Sequence, residues 1–85
     1  MKIFFTSDFR KKFNNLPIKI QKQFAGRIDL FQGDFSHPSL KVHPLKGNLA
    51  GLRSFAVSSD YRVIFRILDG DSIELISIGT HSQLY

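Results

Sequence analysis

Cysteine is absent from this 85-residue chain, acidic residues are few, and long apolar runs and clustered metal ligands are missing. Without cysteine there is no disulfide framework, no thiolate nucleophile and no cysteine-based zinc site. His37, His43 and His81 lack helical or knuckle spacing and no carboxylate cluster accompanies them, so no metal and no cofactor is expected. His37-Pro38 and His43-Pro44 read more economically as loop punctuation. P-loop, Gly-x-Ser-x-Gly and dinucleotide fingerprints are all missing, and no acid obviously orients His81 beside Ser82. Serine hydrolysis is therefore disfavoured. The apolar runs are far shorter than a bilayer span and no signal-peptide pattern opens the chain, so a cytoplasmic location is expected.

Seven Asp and Glu stand against twelve Lys and Arg, a formal charge of +5. That excess favours a polyanionic partner: RNA, DNA, the ribosome or an acidic protein. Charge alone does not choose among them. The apolar fraction of 42%, with nine Phe, is enough for one globular core over residues 1–85.

Hydrophobic periodicity supplies the elements. Met1–Thr6 suits a first strand, and Thr6-Ser7-Asp8 offers N-cap candidates for a helix. Phe9, Phe13 and Leu16 recur on one helical stripe until Pro17 breaks it and opens a second helix, running to about Gln32. Ile20, Phe24, Ile28 and Phe31 form its buried stripe, Lys19, Lys22 and Arg27 face solvent, and Gly33 is its stop signal. Asp34–Gly51 reads as loop, with a short extended piece around Leu40–Val42. Strand-like runs follow at Leu52–Ser58, Tyr61–Leu68 and Ser72–Ile78, the last two joined through the hairpin signal Asp69-Gly70-Asp71. The order is β-α-α-β-β-β: an α+β fold with a helical hairpin on one face of a small antiparallel meander.

Alternation assigns Tyr61, Val63, Phe65 and Ile67 to the core face of their strand and Arg62, Ile64, Arg66 and Leu68 to the other. Two guanidinium groups thus share the outer face. Arg53 would join them if the hairpin register allowed, as would His81 at the end of the next strand. Bordered by Tyr85 and the His43–Lys46 loop, such a face is a platform for RNA phosphates. The plainer reading is a solvated strand face on which Arg62 or Arg66 pairs with Glu74 or Asp71. Gly79-Thr80-His81-Ser82-Gln83-Leu84-Tyr85 closes the chain, with Gly79 letting the last strand end abruptly before an imidazole and a phenol.

These segments together resemble the RelE/ParE superfamily of bacterial toxin–antitoxin toxins. The similarity runs through Leu16-Pro17, His43-Pro44-Leu45-Lys46-Gly47, Gly51-Leu52-Arg53-Ser54, Asp60-Tyr61-Arg62-Val63-Ile64-Phe65 and the closing Gly79–Tyr85. The closing block looks like the YafQ-type branch, whose members are ribosome-dependent mRNA endonucleases neutralised by a cognate antitoxin. The resemblance implies that His81 is the catalytic histidine and that Asp60, His43 and Arg62 also serve catalysis. It implies phosphate contacts from Arg53 and Lys46 and a base or phosphate contact from Tyr85, with Arg66 joining them from the strand face as a substrate-binding candidate. Ala56 stands where the branch carries a second histidine, and Ser54 where it carries an acid.

The implied chemistry needs no metal. An mRNA 2′-OH attacks its adjacent phosphate, a base takes its proton, and His81 protonates the departing 5′-oxygen. The implied partners are an antitoxin, the ribosome and mRNA, with operator DNA reached through the antitoxin. Two other functions fit the same fold: a ParE-like inhibitor of DNA gyrase, and a non-catalytic basic module that binds RNA or protein.

Overall fold

The computed structural model describes residues 1–85. The elements are β1 (Lys2–Phe5), α1 (Ser7–Asn14), α2 (Ile18–Gly33), β2 (His43–Pro44), β3 (Arg53–Ala56), β4 (Tyr61–Asp69), β5 (Ser72–Thr80) and α3 (His81–Leu84). The sheet order is β1-β5-β4-β3-β2. β3, β4 and β5 form the expected antiparallel meander, and β2 extends it antiparallel at one edge. β1 closes the other edge, parallel to β5.

Phenylalanine holds the helical hairpin to the sheet. Phe9 of α1 and Phe24 and Phe31 of α2 meet Phe55, Val63, Phe65, Leu75 and Ile78 in one buried cluster. Each such side chain contributes about 1.5–3 kcal/mol by leaving water. Thr6 starts α1 as anticipated: its hydroxyl accepts the Phe9 N–H at 3.0 Å and donates to the Ile76 carbonyl at 2.7 Å. One side chain therefore caps a helix and ties it to β5.

Several sequence expectations need correction. Gly33 does not stop α2 from outside; it is the last helical residue, and Asp34 leaves in an extended conformation with φ −149°. Phe35 returns onto Phe31, centroids 4.8 Å apart, so packing rather than a left-handed glycine sets the exit. Arg27 is not simply solvated: its Nε donates to the Val57 carbonyl and its Nη1 to Ser39 Oγ. The extended piece falls at His43–Pro44, not Leu40–Val42, because Pro38–Leu40 closes a 3-10 turn and Lys41 turns left-handed at φ 52°. Leu40 is fully buried and anchors that loop to the core.

Gly79 does not end β5 either. The strand continues to Thr80, and the closing residues form a helical turn rather than a tail. A bulge governs where that turn goes. Ile64 pairs with Ser77 but Phe65 with Leu75, leaving Ile76 unpaired. The extra residue resets the alternation, so Leu75 and Ile78 both enter the core while Gly79 lies opposite Arg62. Without it, the end of β5 would deliver α3 to the wrong face.

Candidate active site

Direct cross-strand partners share a face. On the face away from the helices, one row runs His43, Ser54, Ile64, and the next runs Ala56, Arg62, Gly79. Beside them lies an open cleft of about 430 Å³ lined by His43, Pro44, Leu45, Lys46, Arg62, His81 and Tyr85. No Asp or Glu side chain lines it. Two permanent cations and two imidazoles therefore meet on one surface, an arrangement suited to an anion.

His81 is held by main chain on both sides. Its N–H donates to the Asp60 carbonyl at 3.1 Å, and its own carbonyl accepts the Tyr85 N–H at 3.1 Å. Thr80 caps the turn with a reciprocal pair: its hydroxyl accepts the Gln83 N–H, and Gln83 Oε1 accepts the Thr80 N–H at 2.8 Å. A Cβ on Gly79 would sit 2.8 Å from that same Oε1, so a larger residue there would displace the Gln83 amide from its cap. The imidazole and the Tyr85 phenol ring stack at a tilt, centroids 4.7 Å apart. Both residues are exposed, and the polar tips of both side chains are free of protein partners.

His43 is oriented differently. Its Nδ1 lies 2.9 Å from the Lys41 carbonyl, which can only accept. The neutral ring therefore carries its proton on Nδ1 and a lone pair on Nε2. Nε2 lies 3.5 Å from Ser54 Oγ, a hydroxyl with no exposure to solvent. The left-handed Lys41 thus sets which nitrogen of His43 is basic.

Arg62 has two duties. Its Nη1 donates to the carbonyls of Ser58, Ser59 and Tyr61, at 2.6, 3.1 and 3.1 Å. That braces the β3–β4 turn whose Asp60 carbonyl holds His81. Its Nε and Nη2 have no protein acceptor and remain available at the cleft.

Some anticipated residues fall elsewhere or act otherwise. Asp60 is exposed, its carboxylate makes no hydrogen bond, and its main-chain carbonyl is the contact to His81. Arg66 pairs with Glu74, the plainer reading of that residue. Arg53 does not share the face of Arg62: it pairs across to Phe65, a core residue, and so lies on the helix side of the sheet. It lines a separate cleft with His37 and Lys41. Lys46 does line the first cleft, with an unpaired ammonium. Sequence reasoning missed the positioning groups Ser54, Thr80 and Gln83. Thr80-x-x-Gln83 is a legible capping box; Ser54 needed the strand register. No three or more His, Asp and Glu side chains are grouped to hold a metal. No helix is long and apolar enough to cross a membrane.

Solved toxins share this fold from end to end. YafQ from Escherichia coli BL21(DE3) superposes with a TM-score of 0.82 at 18% identity, over 99% of this chain and 97% of that one. The same protein in the E. coli DinJ–YafQ toxin–antitoxin complex gives 0.80 at 19% identity, over 99% and 96%. A YoeB/ParE toxin from Agrobacterium tumefaciens gives 0.77 at 21% identity, over 95% and 99%. The fold is thus the one these solved toxins share. A sequence comparison with curated proteins gives no match. The model of the family described as "Bacterial toxin of type II toxin-antitoxin system, YafQ" matches residues 1–85, and the chain belongs to that family.

Proposed function

We propose that this toxin is an endoribonuclease that cuts mRNA on the ribosome, and that the His43–Arg62–His81 cleft is its active site. The observation that carries the reading is the pair of imidazoles on one cation-lined cleft that no Asp or Glu side chain lines. The role of His43 follows from its attachment. His43, with its Nδ1 proton held by the Lys41 carbonyl, offers Nε2 as the base that takes the 2′-OH proton. The 2′-oxygen bonds to phosphorus as the P–O5′ bond breaks, leaving a 2′,3′-cyclic phosphate. His81 supplies the proton to the departing 5′-oxygen. The free Nε and Nη2 of Arg62, with Lys46, stabilise the charge that builds on the phosphorane oxygens. Tyr85 offers a ring for a base to stack on.

No cofactor takes part in this scheme. The solved DinJ–YafQ complex supports an antitoxin as the second partner, one whose acidic or amphipathic segment would occlude the cation-lined cleft. Operator DNA would be reached through that antitoxin.

The test uses the purified toxin with translating ribosomes and maps new mRNA 5′ ends, with His81→Ala alongside. Loss of about 10²–10⁴-fold in the variant is expected for a general acid. Full activity in His81→Ala would move the acid elsewhere. Absence of cleavage by folded wild type would turn the reading toward gyrase, tested by supercoiling.

A further inference from the structure

Arg53 is half-buried on the helix side of the sheet, yet its guanidinium has no hydrogen-bond acceptor and no ion-pair partner. It lines a cleft of about 420 Å³ with His37, Lys41 and Phe35. His37 is fixed there by a chain of donors. Arg27 Nη1 donates to Ser39 Oγ at 3.0 Å, and the Ser39 hydroxyl and N–H approach His37 Nδ1 at 2.8 and 3.2 Å. Because a backbone N–H can only donate, Nδ1 holds the lone pair and the neutral ring carries its proton on Nε2. That Nε2–H has no protein acceptor. The Lys41 ammonium is unpaired as well. The nearest carboxylate in sequence, Asp34, turns inward to its own loop and accepts from the Ser36 N–H at 3.2 Å.

We propose that the Arg53–His37–Lys41 cleft is a second phosphate-binding site, which holds the RNA backbone away from the scissile bond. The inference rests on the endonuclease reading for its biological setting, not for its binding chemistry. Two observations favour an RNA phosphate over the carboxylates of an acidic protein. First, the two clefts share no residue but adjoin at the two-residue edge strand β2, Lys41 and Val42 lining one and His43 and Pro44 the other. The Lys41 carbonyl orients His43 on one side, while Pro44 pairs with Arg53 on the other. A strand crossing that edge meets both clefts in succession. Second, Phe35, packed on Phe31 and Phe65 through part of its ring, still lines the same cleft as the cations. Cations for phosphate beside a ring for a base are what single-stranded nucleic acid uses and a carboxylate chain does not.

The test measures binding of a short labelled single-stranded RNA, 2′-O-methylated so that it cannot be cut, across a salt series. A parallel arm uses vacant bacterial ribosomes. Arg53→Gln is expected to weaken binding and make the log K against log salt slope shallower by about 0.7 for each single-strand phosphate it no longer neutralises. Arg53→Lys, which keeps the charge, should retain most of the slope and guards against a folding artefact. An effect on the free strand assigns the phosphate to message; an effect on ribosomes alone assigns it to ribosomal RNA. A slope unchanged by Arg53→Gln in both arms overturns the proposal. So does a variant that binds RNA normally and loses only the antitoxin. If wild type fails to cut programmed ribosomes while Arg53→Gln still flattens the slope, the endonuclease reading falls and this site stands.

Discussion

A histidine's chemistry is set by what its other nitrogen touches. His43 and His81 occupy one cleft, but only His43 has a ring nitrogen committed to a main-chain carbonyl, and that commitment leaves Nε2 basic. The Asp60 carboxylate has no such arrangement; Asp60 acts through its carbonyl on the His81 N–H. The two residues therefore separate in experiment. His43→Gln is expected to lower the single-turnover cleavage rate by about 10²–10³-fold, within the range of a lost general base. Asp60→Asn, which keeps the carbonyl, should cost less than about tenfold; the reverse order in rapid-quench assays would make Asp60 the base. The histidines were legible as candidates because their residue type and position relative to strand ends are visible in sequence. The difference in their hydrogen bonding was not, since the tautomer of His43 depends on a left-handed Lys41 that no periodicity announces. The misplacement of Arg53 has a similar origin: without the register Arg53–Phe65, its side of the sheet is undetermined.

Among the elements, α3 is the least massive and the most consequential. It consists of His81–Leu84, buries no residue fully, and depends on Thr80, Gln83 and the open space at Gly79. Thr80→Ala removes a cap worth about 0.5–2 kcal/mol. The expected result is faster hydrogen exchange at the Tyr85 amide and reduced cleavage, with β4 and β5 amides unchanged. Protection unchanged at Tyr85 would show that the cap does not hold the turn. The segment between α2 and β3 is the opposite case, a connection that reads as loop in sequence yet is pinned by Leu40 in the core. Leu40→Ala should cost about 2–5 kcal/mol in chemical denaturation and detach His43 from its orienting carbonyl. A loss below about 1 kcal/mol, on the order of an exposed site, would mean the loop is held by other contacts. β1, β3, β4 and β5 with α1 and α2 were readable because apolar residues recur at their characteristic spacings. The β5 bulge was not, because Leu75, Ile76 and Ile78 fit either a continuous or a reset alternation until Ser77 is seen opposite Ile64.

At the scale of the whole molecule, the core and the chemistry lie on opposite sides of one sheet. Aromatic rings and branched aliphatics on the helix side supply the anchoring, as expected when burial dominates stability. The far side is thereby left to carry the cleft of His43, Lys46, Arg62 and His81. Of the twelve Lys and Arg side chains only Lys12 and Arg66 have carboxylate partners, so Arg62, Lys46, Arg53 and Lys41 are all without one. On the proposed reading, unpaired cations at two clefts on either side of β2 would give an RNA backbone a path rather than a single point of attachment. The fold and the toxin class were legible from sequence because the closing block and the Asp60–Phe65 block lie on the elements that build the site. How the cations divide between the clefts was not, since it depends on strand pairing.

The most direct test of the central claim replaces one atom of the substrate. With the cut site mapped on ribosome-bound message, a single 2′-deoxy nucleotide is placed immediately 5′ of the scissile phosphate. An attack by the adjacent 2′-OH predicts that cleavage at that position is abolished while neighbouring ribosomal pausing is unchanged, and that the all-ribose message leaves a 2′,3′-cyclic phosphate. Cleavage that persists through the deoxy position would contradict the account, because the nucleophile would then be something other than the RNA itself.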